Sequence, residues 1–230
     1  MGGAPHSKPP CNECIGWYAL AFLMHNKNKK NLEKSFKLLL DLSMKNFYTL
    51  AIFLIAFSIN AQEKSLNIES SSIRWYGEEI TGKQHYGDLK FSSGNIQINN
   101  KVVSSGNFVV NMNSLTVEDL SGGGKKRLEG HLRSSAFFGV SDHPQASLNI
   151  TSMVDIDGNS QILDGELTIK GITHPINFSI TLNSENNATA MLVFDRSKYD
   201  VRFRSGSFFD ELGDKLILDN IKLEVALEFN

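Results

Sequence analysis

The stretch KRLEGHLRSSAFFGVSDHP, residues 126–144, reads as a short amphipathic helix that runs into the paired Phe137-Phe138 and closes on Pro144. Its isolation is what decides the fold class. From Ile73 onward helix is expected only around Lys125–Ser135, and on both sides of it the apolar residues recur with period two rather than 3.6.

Ile221, Leu223, Val225, Leu227 and Phe229 alternate with Lys222, Glu224, Ala226 and Glu228, the pattern of a half-buried antiparallel strand. Phe108, Val110 and Met112 repeat it, as do Ile176, Phe178, Ile180 and Leu182, and shorter runs hold Leu89 with Phe91 and Leu148 with Ile150. Turn chemistry separates these runs at Ser92–Asn95, Asn99-Asn100, Asp157–Asn159 and Ser184–Asn187. The pattern predicts about eight strands at hairpin spacing. A sheet of that size with one apolar face buries it, and loses its adhesive edges, by closing into a barrel. A barrel of eight strands is either filled by its own side chains or just wide enough for one small ligand. A two-sheet sandwich carries the same alternation, so the period alone favours the barrel only modestly.

The chain's first residues follow different rules. Met44-Lys45-Asn46 is a short positive leader, Phe47–Ile59 an apolar run of 13 residues, and Ala61 a small residue placed for cleavage. This is the layout of a secretory signal peptide, and the run is short of the roughly 20 residues a spanning helix needs. A buried helix or an uncleaved anchor is the competing reading. The expectation is a signal peptide over 44–61, a folded domain over 62–230, and a periplasmic or secreted location. Residues 1–43, with the apolar Ile15–Met24 and a Lys-rich run, are expected to be an upstream gene-model extension or a disordered leader, with translation starting at Met44.

Cys11 and Cys14 form a C-x-x-C, but no second pair follows and both precede the expected cleavage point. The remaining 169 residues contain no cysteine, which removes thiol-redox and Cys-nucleophile chemistry there. Of the chain's 23 Lys and Arg and 25 Asp and Glu, 7 and 3 fall in the first 61 residues, which leaves 16 against 22 and a net charge of −6 after them. A mildly acidic domain with no basic stripe is a poor nucleic-acid binder.

Helix and strands together carry a recognisable order of short motifs. Ile73-Arg74-Trp75 and Gly82–Gly87 open it, followed by Gly106–Met112, His131-Leu132 with Phe137-Phe138, and Gly165–Thr168. Gly171-Ile172-Thr173 with Pro175, Asp195–Tyr199, Ser205–Phe209 and Leu212–Lys215 complete it. This order, over some 150 residues, resembles the YceI-like family, and the last two blocks resemble its Bacteroidetes branch. The resemblance implies an all-β, lipocalin-like antiparallel barrel of roughly eight strands with one short helix, secreted, holding a polyisoprenoid or fatty-acid-like lipid and catalysing nothing. The family often has an Asp before and another after the Phe pair; Ala136 and Gly139 stand there in this chain.

A lipid tail needs a wall of aliphatic and aromatic side chains with few polar atoms. By alternation phase the candidates are Trp75, Phe91, Phe108, Val110, Met112, Leu148, Ile150, Leu167, Ile169, Phe178, Ile180, Leu192 and Phe194. Plain core packing is the alternative for each. Two polar residues join them. His131 is read as a hydrogen-bond partner for a head group or as a structural histidine fixing the helix. Arg196 is read as a fork for a phosphate or carboxylate or as half of an internal Asp195–Arg196 pair. His85 is read as structural or exposed, and Arg202 and Arg204 as solvated.

Other chemistry finds no footing. His131, His143 and His174 lie on separate elements without a metal-ligand spacing. Gly122–Lys125 lacks the phosphate-loop pattern, no G-x-S-x-G occurs, and the acidic pairs Glu78-Glu79 and Asp155/Asp157 fall in turns. No cofactor beyond a bound lipid or isoprenoid is expected. The expected partners are that ligand, a membrane surface touched peripherally, and a second copy paired through a strand edge or the helix's exposed face.

Overall fold

The computed structural model describes residues 29, 31–35, 37–41 and 62–230. Contacts divide the chain into two units, residues 1–59 and 60–230. In the first, the described residues are helical and exposed. The C-x-x-C, both apolar runs and the proposed cleavage point after Ala61 lie outside the described residues.

The second unit is a closed antiparallel barrel. Its strands are β1 (Gln62–Ser65), β2 (Ser72–Glu78), β3 (Gln84–Asn99), β4 (Val102–Asn111), β5 (Gln145–Asp157), β6 (Ser160–Ile169), β7 (Ile172–Leu182), β8 (Asn187–Asp195) and β9 (Asn220–Glu228). The order around the wall is β3-β2-β9-β8-β7-β6-β5-β4, and β4 pairs back to β3. Nine strands make eight wall positions because β1 and β2 share one edge of β3. β2 pairs with Gln84–Leu89 and β1 with Asn95–Ile98.

Two-residue turns set the register at three hairpins, that of β5 and β6 through Gly158 and Asn159. Asn100 and Lys101 (φ 50° and 65°) join β3 to β4, and Lys170 and Gly171 (φ 52° and 73°) join β6 to β7. The latter two are turns of the kind whose twist matches that of the flanking strands. The expected break at Ser92–Asn95 is no turn. β3 runs through it as 16 residues, and the irregularity is a bulge between Phe91 and Ser93, after which β3 exchanges β2 for β1 as its neighbour. Bulges of this kind bend a strand without ending it.

One end of the barrel is packed shut by Ile96, Val103, Leu163 and Ala188, all fully buried. Gln161, itself buried, closes the polar account there: its Oε1 accepts from Val103 N at 2.8 Å and its Nε2 donates to Lys101 O at 2.7 Å. At the other end lie the β2–β3 hairpin, the helix α1 (Gly122–Arg133) and the long β8–β9 connection. α1 begins three residues before the expected start, because Gly122, Gly123 and Gly124 form its first turn after Ser121.

The segment Leu115–Leu120 seats α1 on the rim. Glu129 Oε1 accepts from Val117 N at 3.0 Å, and Arg133 Nη2 donates to Leu115 O. The same segment is tied to the wall by Trp75 Nε1, which donates to Thr116 O at 3.1 Å, and by Tyr86 N, which donates to Asp119 Oδ1 at 3.0 Å. The outer face is largely polar, as in the Arg74–Asp88 pair (2.8 Å) and the Tyr76–Glu224 bond (2.9 Å), with Val154 and Ile156 on β5 and Met191 and Val193 on β8 among the exposed exceptions. Polar outside and apolar inside is the inverse of a membrane-spanning barrel. Among the described residues no helix is long and apolar enough to cross a membrane.

Candidate functional site

The barrel's axis holds a cavity of about 610 Å³. That lies within the range of small-molecule sites, about 300–1,000 Å³. Each strand of the closed wall contributes to its lining, β9 through Ile221, Leu223, Val225 and Leu227. The cavity runs down to Ile180, Ala190 and Leu227, where the packed end begins. At the top it reaches exposed Lys83 on the β2–β3 hairpin and Gly124 and Arg127 on α1. Leu128, His131, Leu132, Phe137 and Phe138 cover it from α1 and the turn beyond, and Phe203, Arg204 and Ile217 from the β8–β9 connection.

All thirteen apolar residues selected by alternation phase face this cavity, and so does His131. Arg196 does not, and the head-group reading of that residue is corrected here. Its side chain is fully buried beside the cavity. Nη1 donates to the carbonyls of Val201 (3.2 Å) and Phe203 (2.9 Å), Nη2 to Ile217 O (3.1 Å) and Nε to Leu218 O (3.3 Å). Its ion-pair partner is Asp219, at 3.1 Å from Nη2. Asp195 instead caps the 3-10 turn Arg196–Tyr199, accepting from Ser197 N at 2.9 Å and Ser197 Oγ at 2.6 Å. Burial pulls the guanidinium below its ordinary pKa, and Asp219 and then Asp195 push it back up. Arg196 therefore holds the β8–β9 connection over the barrel.

Period-two reasoning missed two groups. Ile73, Leu89 and the four β9 residues were visible by the same alternation. Phe203, Arg204 and Ile217 are brought to the mouth by irregular backbone and Arg127 by the helix α1, so alternation along a strand does not place them in the lining. Arg204, read as solvated, is half-buried and lines the cavity.

Few polar groups stand at the mouth. His85 Nδ1 lies 2.7 Å from Asp119 Oδ2, which orients the ring. Among the described residues no hydroxyl or thiol bonds to the ring of His85 or His131, and no group of three metal-ligating side chains forms. The pKa of His131 is lowered, first by burial and then by the charge of Arg204, which keeps the imidazole neutral near pH 7.

Known proteins resemble this chain in fold and in sequence. The structure of Burkholderia cenocepacia BcnA superposes with a TM-score of 0.54 at 16% identity, over 70% of this chain and 98% of that one. A polyisoprenoid-binding domain from Saccharophagus degradans, implicated in plant cell wall breakdown, gives 0.49 at 13% identity over 73% and 97%. A UPF0312 protein of Staphylococcus epidermidis is 31% identical over 112 residues, which is 44% of this chain and spans 61% of that relative's length. The model of the YceI-like domain matches residues 59–229, the whole barrel from β1 to the last strand. On that match the chain belongs to the YceI-like domain family.

Proposed function

We propose that this protein binds one amphiphilic long-chain lipid, polyisoprenoid or fatty-acid-like, inside the barrel and outside the cytoplasm, without altering it chemically. The cavity is the observation that carries the reading. The barrel's own side chains leave about 610 Å³ with a largely apolar lining unfilled, within the range of small-molecule sites. That weighs against the competing reading, a filled barrel serving only as a structural or interaction module of the envelope. A lipid tail fits the wall because burying it yields about 25 cal/mol per Å², or several kcal/mol for a few hundred Å². The aliphatic and aromatic lining below the mouth supports binding of an apolar chain.

Native mass spectrometry of the protein secreted from its own leader tests this directly. The expected result is a one-to-one adduct that organic extraction releases as a long apolar molecule, on a chain beginning at Gln62. Leu192→Asp, which places a charge in the wall, and Ala190→Trp, which fills the cavity without one, are each expected to remove the adduct while circular dichroism stays that of a barrel. A clean apo mass that persists after incubation with isoprenoids and fatty acids would overturn the reading. A mass that retains the leader would overturn the location alone.

A further inference from the structure

The polar lining of the mouth is divided between two sides. The β2–β3 hairpin supplies Glu78, Glu79 and Lys83, with His85 engaged by Asp119. α1 and the β8–β9 connection supply Arg127, His131 and Arg204. His131 Nε2 is buried and has no hydrogen-bond partner among the described residues. Its ring stands edge-on to Phe203 at 4.2 Å and to Phe137 at 5.8 Å, which fixes its orientation. The Arg204 guanidinium lies 5.1 Å over the same Phe203 ring. No carboxylate lies within 4 Å of Arg204 or Arg127 among the described residues. Arg204 also adopts φ 52°, a left-handed conformation that a side chain this large rarely takes unless its surroundings impose it.

We propose that His131 and Arg204 form a head-group station, and that the bound chain ends in an anionic oxygen group, carboxylate or phosphate. The proposal rests on the lipid reading of the cavity and adds the chemistry of the ligand's polar end. The guanidinium fork donates to two oxygens, and the neutral imidazole donates a third bond from Nε2. An anionic head supplies what both side chains lack, and it does so where the lining changes from apolar to polar. Glu78 and Glu79 repel the same anion, so the head seats on the side of the helix and the β8–β9 connection.

Displacement of a fluorescent fatty acid from delipidated full-length secreted protein tests it, with hexadecanoate, hexadecyl phosphate, hexadecan-1-ol and inorganic phosphate as competitors at pH 7.5. Both anionic chains are expected to bind about tenfold or more tighter than the alcohol, the size of a charged hydrogen bond. Arg204→Gln and His131→Phe are each expected to remove about tenfold of that preference, weakening both anionic chains far more than the alcohol. His131→Gln, which keeps a donor, is expected to retain most of it. Equal binding of acid and alcohol, or variants that weaken every chain alike, would overturn the station and leave the lipid reading intact. Binding of no chain at all would overturn both, and displacement by inorganic phosphate would make the pair a free-anion site instead.

Discussion

Replacing Gly87 by alanine is expected to destabilise the barrel by about 3 kcal/mol or more, the upper range for overpacking in a rigid core. Gly87 is buried on β3, opposite Trp75 of β2. A Cβ there would stand 1.8 Å from Thr116 O and 2.9 Å from Val117 Cα. Both are backbone atoms, so no rotamer change relieves the clash; the segment Leu115–Asp119 has to move as a body. That motion would break the bonds from Thr116 N to Asp88 O (3.0 Å) and from Glu118 N to Tyr86 O (2.8 Å). It would also draw Thr116 O away from Trp75 Nε1 and unseat α1, whose Glu129 and Arg133 bind the same segment. In a domain of this length the loss corresponds to a melting point lower by roughly 6–12 °C. Gly77→Ala is the control. It changes a strand glycine on the neighbouring β2, but its Cβ would meet only Ile221 Cδ1 at an ordinary 3.5 Å. Urea unfolding of the two variants side by side decides the matter, and equal midpoints would refute the clash.

The contrast between these glycines marks where the sequence stops being legible. Side-chain phase along a strand is a local property, so β9 and the wall residues of β4 and β7 declare their buried face without any tertiary information. The closed barrel follows from many such strands sharing one apolar face. Gly87 and Gly77 look alike in sequence, and only the approach of Leu115–Asp119 distinguishes them. The bulge at Phe91/Ser93 defeats a local reading for a similar reason. Ser92–Asn95 has turn chemistry, yet pairing with β4 on one side and β1 on the other carries β3 straight through it. Arg202 and Arg204 alternate with Val201 and Phe203 and so read as a solvated strand face, yet the place of Arg204 at the cavity depends on a connection whose course is fixed elsewhere, at Arg196.

Arg196→Met is accordingly expected to cost about 3–5 kcal/mol, the range for breaking a buried ion pair on one side. Methionine fills much of the volume but returns none of the bonds to Val201, Phe203, Ile217 and Leu218. It also strands Asp219, whose side chain is only 19% exposed and keeps just the hydroxyls of Ser205 and Ser207, each at 2.8 Å. Arg196→Lys is expected to fall between, since one ammonium on a flexible stem cannot reach four carbonyls arranged around a planar fork. The damage is local in its first consequence. The carbonyls of Phe203 and Ile217 hang from Arg196, and both residues cover the cavity. Amide exchange in residues 201–219 should therefore rise before the strands lose protection, and lipid retention should fall with it. The measurement that separates this clamp from a head-group role is the unfolding midpoint of the lipid-free protein. A clamp lowers it whether or not a chain is bound, because its partners are all protein atoms. An unchanged lipid-free midpoint with weakened lipid binding would return Arg196 to the ligand and contradict the placement of its side chain.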